Sequence, residues 1–322
     1  MNGTVSSLPI LIVNVHSRCN CRCAMCDIWR TPENREFPPA QLEAQLPDMM
    51  RLGVKWVVFS GGEPLMHSSL FEMAATLRAR GIRITILTTG LLLARHAADV
   101  ASNIDDVIVS LDGPPEIHDR IRGVPSAFER LRDGVETLRA IRPAFPVTAR
   151  CTVQKLNHAD IARTVQTANS LHLDSISFLA ADLTSTAFRR DPVWPLERQN
   201  SIALASDQIA TLESQIETLI AQPDPVLADR PEHLRRIVSH FRAHLGLTEP
   251  SAPRCNAPWV SAVIETDGSV RPCFFHRSVG HVGTGTLSAA LNGPEAVIFR
   301  QNLRIDENPT CRNCVCSLHL NS

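Results

Sequence analysis

Cys19, Cys23 and Cys26 stand in a CxxxCxxC pattern inside the segment HSRCNCRCAMC. Three thiolates from one loop can hold three irons of a four-iron cubane and leave the fourth iron an open coordination position for chemistry. A zinc site wants four nitrogen or sulfur ligands, commonly as paired CxxC units, and this loop reaches four only by adding Cys21 or His16. A second group lies near the C-terminus. Cys255 and Cys273 are separated by 17 residues, Gly268 stands five before Cys273 in DGSVRPC, and Cys311 and Cys314 form a CxxC with Cys316 close behind. Four thiolates in two separated pairs can close a metal site completely, so zinc is an alternative for this group too. Cys21, Cys151 and Cys316 are left over; Cys151 alternates with Arg150 on an expected strand and reads as a small buried filler.

The chain that must position these thiols has 322 residues, 44% of them hydrophobic, and a formal net charge of -1. It can bury a real core, and its balanced charge removes the broad electrostatic case for nucleic acid or an anionic membrane surface. Ten cysteines are too few for a disulfide scaffold, so close-set thiols in a reducing compartment read as metal ligands. No tyrosine occurs, so a Tyr acid or a Tyr radical relay is excluded. The apolar run Leu8 to Val15 is broken by Asn14 and preceded by no basic residue, unlike a secretory signal. No uncharged apolar stretch approaches the ~18 residues of a membrane span. A cytoplasmic protein with no membrane partner is the expectation.

Strand candidates are Ile10 to Val15, Trp56 to Ser60, Ile82 to Leu87, Val107 to Leu111, Val147 to Val153 and Ser175 to Ala180. Helical periodicity fills the gaps, as in Ala40 to Leu52, Leu70 to Arg80 and Phe128 to Ile141. This alternation predicts right-handed βαβ units and a parallel sheet closed or partly closed into a barrel. Chemistry in such sheets collects at the C-terminal strand ends. Helices over 206–221 and from Pro231 to just before Gly246 then bridge to the second cysteine group. The expected units are therefore 1–182, 183–252 and 253–322.

The strand ends extend the pattern. Ser60-Gly61-Gly62-Glu63-Pro64 follows the second strand, Ser110-Leu111-Asp112-Gly113 the fourth, and Arg150 lies on the fifth. Paired glycines let backbone approach a ligand, and Glu63 can accept from an ammonium. With the CxxxCxxC loop after the first strand, this order resembles the radical S-adenosylmethionine (SAM) superfamily. The resemblance implies an α/β fold, an incomplete (β/α)6 barrel. It implies that Cys19, Cys23 and Cys26 hold a [4Fe-4S] cluster that cleaves SAM reductively to a 5'-deoxyadenosyl radical. SAM contacts are implied for Gly61, Gly62, Glu63, Ser110, Asp112 and Arg150. Met25, where relatives often carry an aromatic residue, is implied to cover adenine. The second group resembles the SPASM/twitch domains. On that likeness Cys255, Cys273, Cys311 and Cys314 hold one auxiliary [4Fe-4S] cluster, with Cys316 the substitute ligand.

His276, three residues after Cys273, is the candidate catalytic base, or else a hydrogen-bond partner of the cluster. Phe274 stands where sulfatase-maturing relatives carry an aspartate, and the chain ends Leu-Asn-Ser where molybdopterin-precursor synthases end Gly-Gly, so neither activity is expected. Few residues precede the first strand, which shifts the expected substrate toward a small molecule or cofactor precursor. A peptide maturase of the ribosomal-peptide or quinone-cofactor type is the alternative. A flavodoxin or ferredoxin is the implied electron donor. The rival from another class is a zinc-binding structural or regulatory protein.

Overall fold

The computed structural model describes residues 3–320. Strands and helices alternate as β1 (Ile10–His16), α1 (Pro39–Arg51), β2 (Trp56–Gly61), α2 (Leu70–Arg78), β3 (Arg83–Thr88) and α3 (Ala97–Asn103). They continue as β4 (Asp106–Ser110), α4 (Pro115–Arg122), α5 (Ala127–Ile141), β5 (Val147–Val153), α6 (Ile161–Ser170) and β6 (Ser175–Ala180). Neighbours β1 through β6 pair in parallel and in chain order, and β6 does not return to β1, so the barrel is open.

The two faces of this sheet differ in chemistry. Leu11, Val13, Val57, Phe59, Ile84, Ile86, Val107, Val109, Ala149 and Cys151 are buried on one face. The other carries Asn14 paired with Ser60, and the row Ser110, Arg150 and Ser177. Parallel strands covered on both faces read as continuous apolar runs. The alternation here instead marks a concave face kept for polar contacts. At its N-terminal end a network plugs the bottom. Trp56 Nε1 donates to Thr85 Oγ1 at 2.8 Å, Thr85 Oγ1 to Asp106 Oδ1 at 2.8 Å, and Arg83 Nε to Asp106 Oδ2 at 2.9 Å.

After β6 come α7 (Leu196–Ile202), α8 (Ser206–Ala221) and α9 (Pro231–His244), then α10 (Ala257–Val260), β7 (Ser261–Ile264), β8 (Ser269–Arg271) and β9 (Gly280–His281). Helices α11 (Leu287–Asn292), α12 (Pro294–Asn302) and α13 (Pro309–Arg312) complete the chain. The sequence set 253–322 apart as a third region, yet it joins the barrel sheet. β7 lies parallel to β1, with Ile10 opposite Ser261 and Val13 opposite Ile264, and β8 and β9 follow antiparallel. The physical reason is the open barrel, which leaves β1 as an unpaired edge that another strand can satisfy. Asn14 Nδ2 donates to Glu265 Oε2 at 2.7 Å and Glu265 pairs with Arg271 at 2.9 Å, which pins the hairpin to the strand that feeds the first cysteine loop. Among the described residues, no helix is long and apolar enough to cross a membrane.

Candidate active site and auxiliary thiol centre

The first cysteine loop is clamped on two sides. Gly62 N donates to His16 O at 2.8 Å and Glu63 N to Arg18 O at 3.0 Å. A Cβ on Gly62 would lie 1.9 Å from Arg18 O, so only glycine lets the two backbones touch. The backbone that Gly62 approaches is that of the cysteine loop itself. On the other side Arg22 N donates to Arg122 O at 2.8 Å and Ala24 N to Ile121 O at 3.0 Å. Gly123, at φ 63°, ends α4 there, and a Cβ on it would meet Arg22 O at 2.7 Å. A turn from Cys26 N to Cys23 O at 3.3 Å brings two of the three candidate ligands round.

Several groups bear on the thiols. The buried Cys21 thiol lies within hydrogen-bond reach of Cys19 and Cys23, and those bonds with burial push it far up. Cys23 is pulled down to about 7, first by the Cys21 hydrogen bond and then by the Arg122 guanidinium, against burial. Burial pushes Cys26 up to about 12. Arg190, 2% exposed, donates to Met25 O at 2.7 Å and pairs with Asp182 at 2.8 Å. Nothing in the sequence had singled out Arg190; its signal is only that it is one of many arginines.

Two of the expected SAM contacts are buried among protein partners. Asp112, expected to meet ribose hydroxyls, is 0% exposed and pairs with Arg122 at 2.5 Å, while its Oδ1 accepts from Thr152 N at 2.9 Å. It holds protein together because a desolvated carboxylate needs a partner cation. Glu63 is also 0% exposed. Its Oε1 accepts from Leu65 N at 3.0 Å and Thr88 Oγ1 at 2.8 Å, and its Oε2 accepts from Thr89 N at 2.7 Å, so the carboxylate ties the turn after β2 to the end of β3. Met25 is buried, half-buried Ser110 faces the concave side, and Arg150 beside it is exposed.

At the second centre Cys255, Cys273, Cys311 and Cys314 line one cavity with Pro253, Pro258 and Phe275. Cys316 is not among its walls. The buried His276 ring stacks edge-on against Phe299 at 4.8 Å and sets Nε2 3.4 Å from Cys311 Sγ. The ring is engaged with a thiol, and burial lowers its pKa. Cys255 Sγ accepts from Ala257 N at 3.4 Å.

Comparison with known proteins decides what this architecture belongs to. Residues 13–168 match the radical SAM superfamily model, and residues 255–315 match the SPASM iron-sulfur cluster-binding domain. The chain carries a radical SAM domain and a SPASM domain. It is 34% identical over 176 residues to an AdoMet-dependent heme synthase of Methanosarcina barkeri, a match covering 52% of this chain and 49% of that protein. The chain spans about half the length, or less, of the first curated relatives it matches. It is 24% identical to the PqqA peptide cyclase of Ruegeria pomeroyi over 97% of this chain and 80% of that one. In fold it resembles Streptococcus suis SuiB bound to its precursor peptide SuiA, with a TM-score of 0.69 at 16% identity, covering 97% of this chain and 72% of that chain.

A radical SAM domain carries a SAM-binding [4Fe-4S] cluster, and a SPASM domain binds auxiliary iron-sulfur clusters. The donor sets fit both. One loop presents soft thiols beside a guanidinium donor, and the second cavity gathers four thiols among apolar walls. Among the described residues no three Cys, His, Asp or Glu side chains converge on a single ion-sized site. The family match is what decides against a zinc scaffold.

Beside the second thiol group lies a cavity of about 250 Å³, walled by Arg150 and Ser177 of the concave face, by Arg236 and His240 of α9, and by Cys314 and Cys316. His240 Nε2 lies 3.1 Å from Ala181 O, and burial lowers its pKa to about 4; burial lowers that of His118 to about 3. Both histidines are neutral in the folded chain while the unfolded chain titrates near 6.5. Above that pH they contribute no pH dependence. Below it the unfolded chain takes up protons that the fold refuses, so stability falls as pH drops from 6.5 toward 4. At pH 5 each costs about 2 kcal/mol. Thermal midpoints taken from pH 7 to pH 5 are expected to fall steeply, and His240→Gln is expected to flatten that fall; equal slopes would refute the assignment.

Proposed function

We propose that the enzyme uses the loop of Cys19, Cys23 and Cys26 for reductive SAM cleavage and abstracts hydrogen from a small-molecule or cofactor-precursor substrate. Residues 253–322 would form the auxiliary unit, one [4Fe-4S] cluster on Cys255, Cys273, Cys311 and Cys314. When bound, the first cluster supplies the electron that splits SAM into methionine and a 5'-deoxyadenosyl radical. The chain's own residues clamp the cysteine loop, present Ser110 and Arg150 on the concave face, and enclose the space where substrate sits. A cytoplasmic one-electron donor such as flavodoxin or ferredoxin would feed the first cluster.

The observation that carries this reading is the 250 Å³ cavity, which runs from Arg150 to the auxiliary thiol Cys314. It is smaller than the roughly 300–1,000 Å³ of ordinary ligand pockets, which favours a compact substrate. The full-length likeness to a protein named as a peptide cyclase supports a second reading, a peptide whose one side chain enters this space.

Anaerobic reconstitution tests the ligand sets. About eight irons and eight sulfides per chain are expected for two cubanes, and Cys311→Ala is expected to leave about four. Iron that stays near four in the unmutated protein and vanishes only with the first loop's cysteines would remove the auxiliary cluster. Deuterium carried into 5'-deoxyadenosine from labelled small molecules, against labelled peptides, separates the two substrate classes.

A further inference from the structure

Arg122 closes α4 directly against the first cysteine loop. Its Nη1 donates to Cys23 Sγ at 3.6 Å and its Nη2 pairs with Asp112 at 2.5 Å. Both side chains are buried, at 8% and 0% exposure. Asp112 is fixed in turn, since its Oδ1 accepts from Thr152 N at 2.9 Å and its carbonyl from Asn157 Nδ2 at 2.9 Å. The end of β4, the strand β5 and the last turn of α4 together hold one guanidinium against one thiol. Among the hydrogen bonds of the described residues, neither Cys19 nor Cys26 receives a guanidinium donor.

We infer that Arg122 is a positioning residue that sets the reduction potential of the cluster held by the first loop, through its hydrogen bond to Cys23. This rests on the proposed ligand set. Reduction adds an electron to the thiolate-bound irons, and sulfur takes a share of the added charge. A cationic N–H donor in a desolvated site stabilises the reduced form more than the oxidised one. Hydrogen bonds to the sulfurs and net charge are the protein's levers on cluster potential. Asp112 balances the guanidinium as a whole but lies on its far nitrogen, so the donor proton on the near nitrogen remains the closest positive charge to Cys23. Arg122 thereby makes the electron easier to accept.

The test is an EPR-monitored redox titration of the reconstituted enzyme, with iron quantified in parallel. Arg122→Gln is expected to keep the EPR signal and to lower the reduced-to-oxidised ratio at fixed poise tenfold, a shift of about 59 mV for one electron. Arg122→Lys, which keeps the charge and a single donor, is expected to fall between. A residue that only straps the loop predicts iron loss with the surviving cluster's potential unmoved; that result in either variant overturns the inference. Should the Gln variant fail to load iron, the Lys variant decides. Absence of a [4Fe-4S] signal in the unmutated enzyme would instead sink the ligand assignment beneath it.

Discussion

Gly62→Ala is expected to empty the first cluster site while leaving the auxiliary one filled. The methyl would stand 1.9 Å from Arg18 O and 2.9 Å from Cys19 N, both backbone atoms of the loop that carries the thiols. No rotamer relieves such a clash. Either the turn after β2 or the cysteine loop must move, and the turn is tied down by the three donors on buried Glu63. The loop therefore yields, and Cys19, one residue beyond Arg18, goes with it. Overpacking of this kind costs on the order of 1–3 kcal/mol or more. A misplacement of about 1 Å is enough to cost roughly a hundredfold in rate. Iron is expected to fall from about eight to about four per chain, and 5'-deoxyadenosine formation by two orders of magnitude or more. A Gly62→Ala enzyme with full iron and normal SAM cleavage would show that the close approach is irrelevant. Gly53 is the control: its φ is 69°, but no atom lies within 4 Å of a Cβ there, so its substitution strains a turn and touches no cluster.

The sheet and the cysteine order were legible in the sequence because each rests on a local signal. Runs such as Val147 to Val153 and Ser175 to Ala180 alternate apolar with polar residues, and both strands have those bounds. Pro231 and Gly246 bracket α9 because proline suits a first helical turn and Gly246, at φ 69°, suits a chain leaving a helix. Pairings between distant segments carry no such signal. That β7 would find the open edge of β1 follows from the barrel staying open, a property of the whole sheet. Asp112 and Glu63 read as ligand contacts because a carboxylate at a strand end looks the same in sequence whether it faces solvent or a buried arginine. Their zero exposure comes from α4 and β3, elements that local spacing cannot place. His276 shows the same limit: its distance from Cys273 in sequence was visible, its 3.4 Å approach to Cys311 was not.

Asp112→Ala is the second large effect expected, and the double variant with Arg122→Met gives it meaning. Removing the carboxylate strands a guanidinium that is 8% exposed in a desolvated site, and breaking a buried ion pair from one side costs about 3–5 kcal/mol. The thermal midpoint is expected to drop on the order of 5–10 °C. Thr152 N also loses its acceptor, which adds about 1 kcal/mol. Replacing Arg122 by Met in the same chain removes the orphan charge and fills much of the same space. The double variant is then expected to be more stable than Asp112→Ala alone, with the Thr152 deficit remaining. A simple sum of two single losses would mean that the pair does not act as a unit. Iron binding separates stability from function here. The double variant regains fold but not the donor to Cys23, so its first cluster is expected to load and to be harder to reduce, while the Asp112→Ala chain loses iron as it unfolds.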